Sequence, residues 1–147
     1  MMTENNVRLT GPQLVQLANQ ERNALEQVNR KISTFQNFRN ELRGAIDALT
    51  ELGKTEKPKI MVNLGAGVYA EATIENTKTA TTSITGNVFK DKPFKEVKET
   101  LEKKIKNVEK TLDKAGEEQQ KILSRLNQLE QIMEAGRQHM QKQAQKK

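Results

Sequence analysis

The sequence predicts an α+β chain, a long antiparallel helical coiled coil with two central β-hairpins. Three observations carry this. Apolar residues recur at heptad spacing over residues 13–52 and again over residues 94–140. Between them, residues 59–90 change to period two with β-branched residues. Only 34% of the 147 residues are hydrophobic and 3% aromatic, against 30% charged. A compact core is hard to fill from that inventory, so the chain is elongated, disordered or completed by partner subunits. The patterning selects the elongated, partnered form.

The first helix is expected over about 11–53. Leu14, Leu17, Val28, Phe35, Phe38, Leu42, Leu49 and Leu52 fall on one a/d frame, interrupted by Glu21 and Lys31. Leu25, Ile32 and Ile46 lie beside that frame and widen the stripe. Thr10-Gly11-Pro12-Gln13 is a start signal, with a Thr cap, a Gln three residues later and Pro in the first turn. Gly53 is a natural stop. About 40 residues at ~1.5 Å rise predict a rod of roughly 60 Å.

The middle segment predicts two short hairpins in series. Ile60, Val62 and Leu64 alternate with Lys59, Met61 and Asn63; Val68, Ala70, Ala72 and Ile74 alternate with Tyr69, Glu71 and Thr73. Ala80, Thr82 and Ile84 alternate with Thr79, Thr81, Ser83 and Thr85, and Val88-Phe89 follow Gly86-Asn87. Short hairpins cannot bury their faces alone, and their open edges invite strands from other chains.

The second helix is expected over about 92–141, with Asp91 and Pro93 marking its start. Leu101, Ile105, Val108, Leu112, Ala115, Gln119, Ile122, Leu126, Leu129, Met133, Gly136 and Met140 follow strict four-three spacing. Glu99–Lys103, Glu102–Lys106 and Glu117–Lys121 are i,i+4 pairs in the favourable order. Gln119, Gly136 and the small Ala115 weaken the far half of the seam. A flexible basic tail is expected over 142–147, so that residues 1–147 form a single domain.

Gly65-Ala66-Gly67-Val68-Tyr69-Ala70 fits the dinucleotide-loop pattern G-x-G-x-x-G/A. Such a loop must open a helix, whose N-terminus holds the pyrophosphate. Here a strand pattern follows, which makes the stretch a hairpin turn. The single His139 and the absence of Cys leave no metal cluster and no Cys/His pair. The carboxylates lie at charge-pair spacing on helix faces. No catalytic residue, metal site or cofactor is expected, and the chain reads as a non-enzyme.

The net charge is +6, from 25 basic and 19 acidic residues. Most basic residues are interleaved with Glu; only the tail, residues 135–147, with Arg137, Lys142, Lys146 and Lys147, is basic without acidic residues of its own. MMTENNVRLTG has no apolar core of a secretory signal, and no run reaches the ~20 apolar residues of a membrane span. A cytoplasmic location is expected.

The order long helix, two hairpins, long helix resembles the prefoldin family, and the two hairpins resemble its α-type subunits. Ile60-Met61-Val62-Asn63-Leu64-Gly65-Ala66-Gly67-Val68-Tyr69 looks like the α-type first hairpin. Leu9-Thr10-Gly11-Pro12-Gln13-Leu14-Val15-Gln16-Leu17 is similar to the L-x-x-P-Q-L-x-x-L start of eukaryotic subunit 5. Asn63 stands where the family often has Pro, and Gly86-Asn87 replaces the G-x-G that the family favours in its second hairpin.

The resemblance implies one arm of a hetero-hexamer of two α-type and four β-type subunits. Hairpins from all subunits would join into β-barrels, here through Ile60, Val62, Leu64, Val68, Ala70, Ile74, Ile84, Val88 and Phe89. The complex would be an ATP-independent holdase that passes unfolded proteins such as actin and tubulin to the group II chaperonin. The helix ends away from the hairpins gather Val7, Leu9, Leu14, Leu17, Met133 and Met140 as a client-binding tip. Flexible Met and Leu side chains suit promiscuous apolar contact. Two rivals stand beside this reading. One is a structural coiled-coil adaptor. The other is a basic nucleic-acid-binding coiled coil, which requires a basic helix running straight into heptads and is disfavoured by the nearly neutral stretch before the first helix.

Overall fold

The structure, a computed structural model, describes residues 9–145. Its elements are α1 (Gly11–Leu52), β1 (Lys59–Gly65), β2 (Val68–Thr73), β3 (Thr79–Thr85), β4 (Val88–Pro93) and α2 (Phe94–Gln145). Two compact units emerge: residues up to Thr34 together with those from Leu112 onward, and Phe35–Thr111.

In the first unit α1 opens with the expected reciprocal cap. The Thr10 amide donates to Gln13 Oε1 at 2.9 Å, and the Gln13 amide donates to Thr10 Oγ1 at 3.3 Å. These bonds satisfy two of the donors that a helix start leaves unpaired. The two helix segments are antiparallel. Arg125 Nε meets Glu21 at 3.0 Å, Arg22 meets Glu130 at 3.7 Å, and Gln119 Nε2 donates to Asn29 Oδ1 at 2.7 Å. Ala18, Val28, Ile122 and Leu126 form the buried centre, with Ala24, Leu25, Ile32, Leu129 and Met133 packed around it.

The α1 seam differs from the expected frame. Its buried and half-buried positions include Leu14, Ala18, Glu21, Leu25, Val28 and Ile32 in the first unit, with Leu17 and Ala24 half-buried beside them. In the second unit they include Phe35, Arg39, Leu42, Ile46 and Leu49, and the expected Leu52 is half-buried as well. Phe38 is 41% exposed, and Lys31 is exposed and so interrupts nothing. Both frames share positions 14, 21, 28, 35, 42 and 49. The apolar Leu17, Phe38 and Leu52 point to a step of three after each; Leu17 and Leu52 are half-buried there, and Phe38 is exposed. The step of four is packed too, and is the more buried at Ala18 and Arg39, where small size and polarity disguise it. This four-three order is the one α2 also follows, as a left-handed coiled coil requires.

In the second unit, α1 ends as expected at Gly53, whose amide donates to the Leu49 carbonyl at 3.0 Å. Arg43 pairs with Glu109 at 3.2 Å. Leu42, Val97 and Val108 are buried. Strand β4 runs directly into α2: the Phe94 amide donates to the Lys78 carbonyl at 2.9 Å. Asp91 therefore caps no helix; it accepts the Thr81 hydroxyl at 2.7 Å and fastens β3 to β4. At its other end, α2 continues through Gln145, past the 141 read from the sequence.

The hairpins are two separate two-stranded antiparallel sheets, β1–β2 and β3–β4, and this single chain closes no barrel. Asn76 divides them, its Oδ1 accepting the amides of Lys78 and Thr79. Such an Asx-turn substitutes for backbone pairing where the chain changes direction. The first turn has positive φ at Gly65, Ala66 and Gly67 (100°, 52° and 76°). Positive φ at both central residues suits the right-handed twist of the strands. The second turn has positive φ at Gly86 alone of its two central residues, the II′ pattern. Gly67→Val forces a β-branched residue into the left-handed region, at about 1–2 kcal/mol. The expected outcome is faster amide exchange across Lys59–Thr73 with unchanged helical circular dichroism.

Candidate functional site

Two surfaces stand out, one in each unit. In the first unit, α2's seam positions are buried or half-buried through Met133, whereas Gly136 and Met140 are exposed. Where the seam opens, the two helices form a shallow groove of about 580 Å³. Leu9, Gly11, Leu14 and Val15 line one side; Ile132, Met133, Gly136, Arg137, His139 and Met140 line the other. A second recess of about 290 Å³ adjoins it, lined by Leu17, Glu21, Arg125, Gln128, Leu129 and Ile132. Ile132 belongs to both.

The structure thus brings together Leu9, Leu14, Met133 and Met140, with Leu17 in the adjoining recess. Val7 lies outside the described residues. Sequence reasoning missed Val15 and Ile132, which are 47% and 53% exposed. Both lie off the heptad seam, so their only signal is that they are apolar on faces otherwise polar. Arg137 stands at the wall and pairs with Glu134 at 3.5 Å. His139 Nε2 lies 3.1 Å from Gln143 Nε2. The lining is mainly apolar and deformable, and offers area rather than a fixed shape.

The second surface is the hairpin pair. Register places Val62 opposite Ala70 and Ile60 opposite Ala72, so these four share one face of β1–β2. Ile74 lies just past β2, where its amide closes the hairpin on the Pro58 carbonyl at 2.9 Å. Leu64 and Val68 flank the turn and are 64% and 55% exposed. The opposite face carries Met61 and Tyr69, 65% and 55% exposed, both assigned to the polar side by alternation. Hairpin one therefore has one apolar face and one mixed face, where Met61 and Tyr69 stand among Lys59, Asn63, Glu71 and Thr73.

In β3–β4 the expected set divides. Phe89 pairs with Ser83, so it lies on the face opposite Ile84. Ile84, itself 54% exposed, borders an open recess of about 200 Å³ with Thr82, Lys92, Val97 and Leu101. Val97 is buried there, a contact no heptad frame announces. Each strand pairs on one side only and keeps one free edge within the chain. Gly65-Ala66-Gly67 lies in a hairpin and opens no helix, so it cannot hold a pyrophosphate in the dinucleotide manner. Among the described residues, no cluster of three His, Cys, Asp or Glu could hold a metal ion, and no helix is long and apolar enough to cross a membrane.

Two long helices bearing a pair of open-edged hairpins define a coiled-coil protein of the prefoldin fold. The prefoldin subunit family model matches residues 22–139, most of the chain. The chain belongs to the prefoldin family. A solved structure shares the fold: the cryo-EM structure of filamentous PFD from Methanocaldococcus jannaschii has a TM-score of 0.62 at 15% identity, covering 79% of this chain and 94% of that one. No curated protein sequence matches. Family and fold together support a chaperone-like subunit that assembles with other prefoldin subunits.

Proposed function

We propose that this chain is an α-type prefoldin subunit, most like eukaryotic subunit 5, in a hexamer of two α-type and four β-type chains. The complex captures unfolded proteins without ATP, actin and tubulin among them, and delivers them to the group II chaperonin in the cytoplasm. The observation that carries this reading is the pairing, in one chain, of free strand edges with an open apolar groove. The first feature suits assembly and the second suits clients that display apolar segments without fixed shape. Two hairpins rather than one support the α type, and the Leu9–Leu17 stretch supports subunit 5.

The test is suppression of aggregation. Denatured actin is diluted into buffer without nucleotide, with the assembled complex present, and light scattering is followed. The expected outcome is near-complete suppression at about one complex per actin. Undiminished scattering would favour an adaptor that binds no unfolded chain. Tight binding of DNA or RNA that collapses with salt would favour the nucleic-acid reading.

A further inference from the structure

We infer that two polar layers in the first unit, Glu21–Arg125 and Asn29–Gln119, set the alignment of the two helices and so position the two sides of the groove. A heptad seam of similar apolar residues does not specify its own register. Sliding one helix past the other by seven residues, roughly 10 Å of rise, restores apolar contact at nearly every layer. A polar side chain at a seam position breaks that degeneracy, because only one alignment gives it a partner.

Both layers have this form. Glu21 occupies a seam position between the buried Ala18 and the half-buried Leu25, and its side chain is 22% exposed. Oε1 meets Arg125 Nε at 3.0 Å, while Oε2 is buried without a hydrogen-bond partner. A residue chosen for stability alone would be Leu here; the carboxylate costs stability and is matched only where Arg125 lies. Gln119 occupies a seam position of α2, and its Nε2 donates to Asn29 Oδ1 at 2.7 Å. Between the two layers lie the fully buried Ile122 and the buried Val28, which carry no alignment information. The groove stands on the other side of the Glu21 layer, with Leu9 and Leu14 on α1 facing Ile132, Met133 and Met140 on α2. A slip of one heptad would part these residues. These are positioning residues; they need not touch a client. Only the effect on capture rests on the reading of the groove as the client site.

The chain has no cysteine, so spin labels can be placed cleanly on exposed Gln16→Cys and Gln131→Cys. Distances are read by pulsed electron paramagnetic resonance in the full chain assembled with its partners. The parent should give one narrow distribution. Glu21→Leu with Gln119→Leu should keep the helix content and raise the melting temperature, but add a population displaced by a heptad. The exchange Glu21→Arg with Arg125→Glu, with Gln119 restored, should return the single narrow distribution. One narrow, unshifted distribution in the double Leu variant overturns the inference, as does a broad one in the charge-exchanged chain. If alignment is lost while actin capture is unchanged, the alignment role stands and the client reading of the groove fails.

Discussion

Replacing Leu9, Leu14, Leu17, Met133 and Met140 by Ser is expected to weaken capture of unfolded actin at least tenfold while leaving the assembly intact. An unfolded client offers scattered apolar groups, so its binding comes from apolar area removed from water, at ~25 cal/mol per Å². If each lost side chain had contributed about 1 kcal/mol, the sum would be several times the 1.4 kcal/mol of a tenfold change. Leu14, Leu17 and Met133 are half-buried, so a second variant guards the result. Leu9→Ser with Met140→Ser alters only residues 40% and 72% exposed, and should lower capture severalfold without lowering the melting temperature. None of the five residues belongs to a hairpin. The competing electrostatic account predicts that deleting residues 141–147 abolishes capture and that moderate salt does the same. Full capture by an assembled five-residue variant would show that the groove is not the client site.

Val62→Asp is expected to abolish assembly while both helices persist. Val62 shares a strand face with Ile60, Ala70 and Ala72 and is 38% exposed in the chain alone. If a partner strand or sheet covers that face, the carboxylate is buried without a counter-charge, at a cost of several kcal/mol. Loss of about 3 kcal/mol weakens association more than a hundredfold. Size-exclusion chromatography reads the assembly and circular dichroism the helices. Met61→Asp, on the opposite face, is the control. Assembly lost by Met61→Asp and kept by Val62→Asp would reverse the assignment of the faces.

Much of the fold was legible because its signals are local. The Thr10–Gln13 cap, the Gly53 stop and the two-residue turns each rest on the chemistry of a few adjacent residues. The α2 seam was legible because strict four-three spacing allows one frame. The α1 seam was legible in part, because Leu17 and Leu52 are half-buried as read, whereas the apolar Phe38 is exposed and the polar Arg39 beside it is half-buried. Asp91 looked like a helix cap from its place before Phe94, yet Thr81, ten residues earlier, takes its carboxylate. The apolar character of Met61 and Tyr69 was visible, but alternation assigns one face to water, and no single-chain pattern signals a hairpin exposed on both. The groove was legible in part: heptad positions supplied Leu14 and Met133, whereas Val15 and Ile132 lie off the seam.

The most direct measurement of the central claim is native mass spectrometry of the complex purified from its source. The expected result is a hexamer holding two α-type chains, this 16.7 kDa chain among them, with four β-type chains, and no stable form of this chain by itself. A stable monomer, or an assembly containing no other prefoldin subunit, would contradict it.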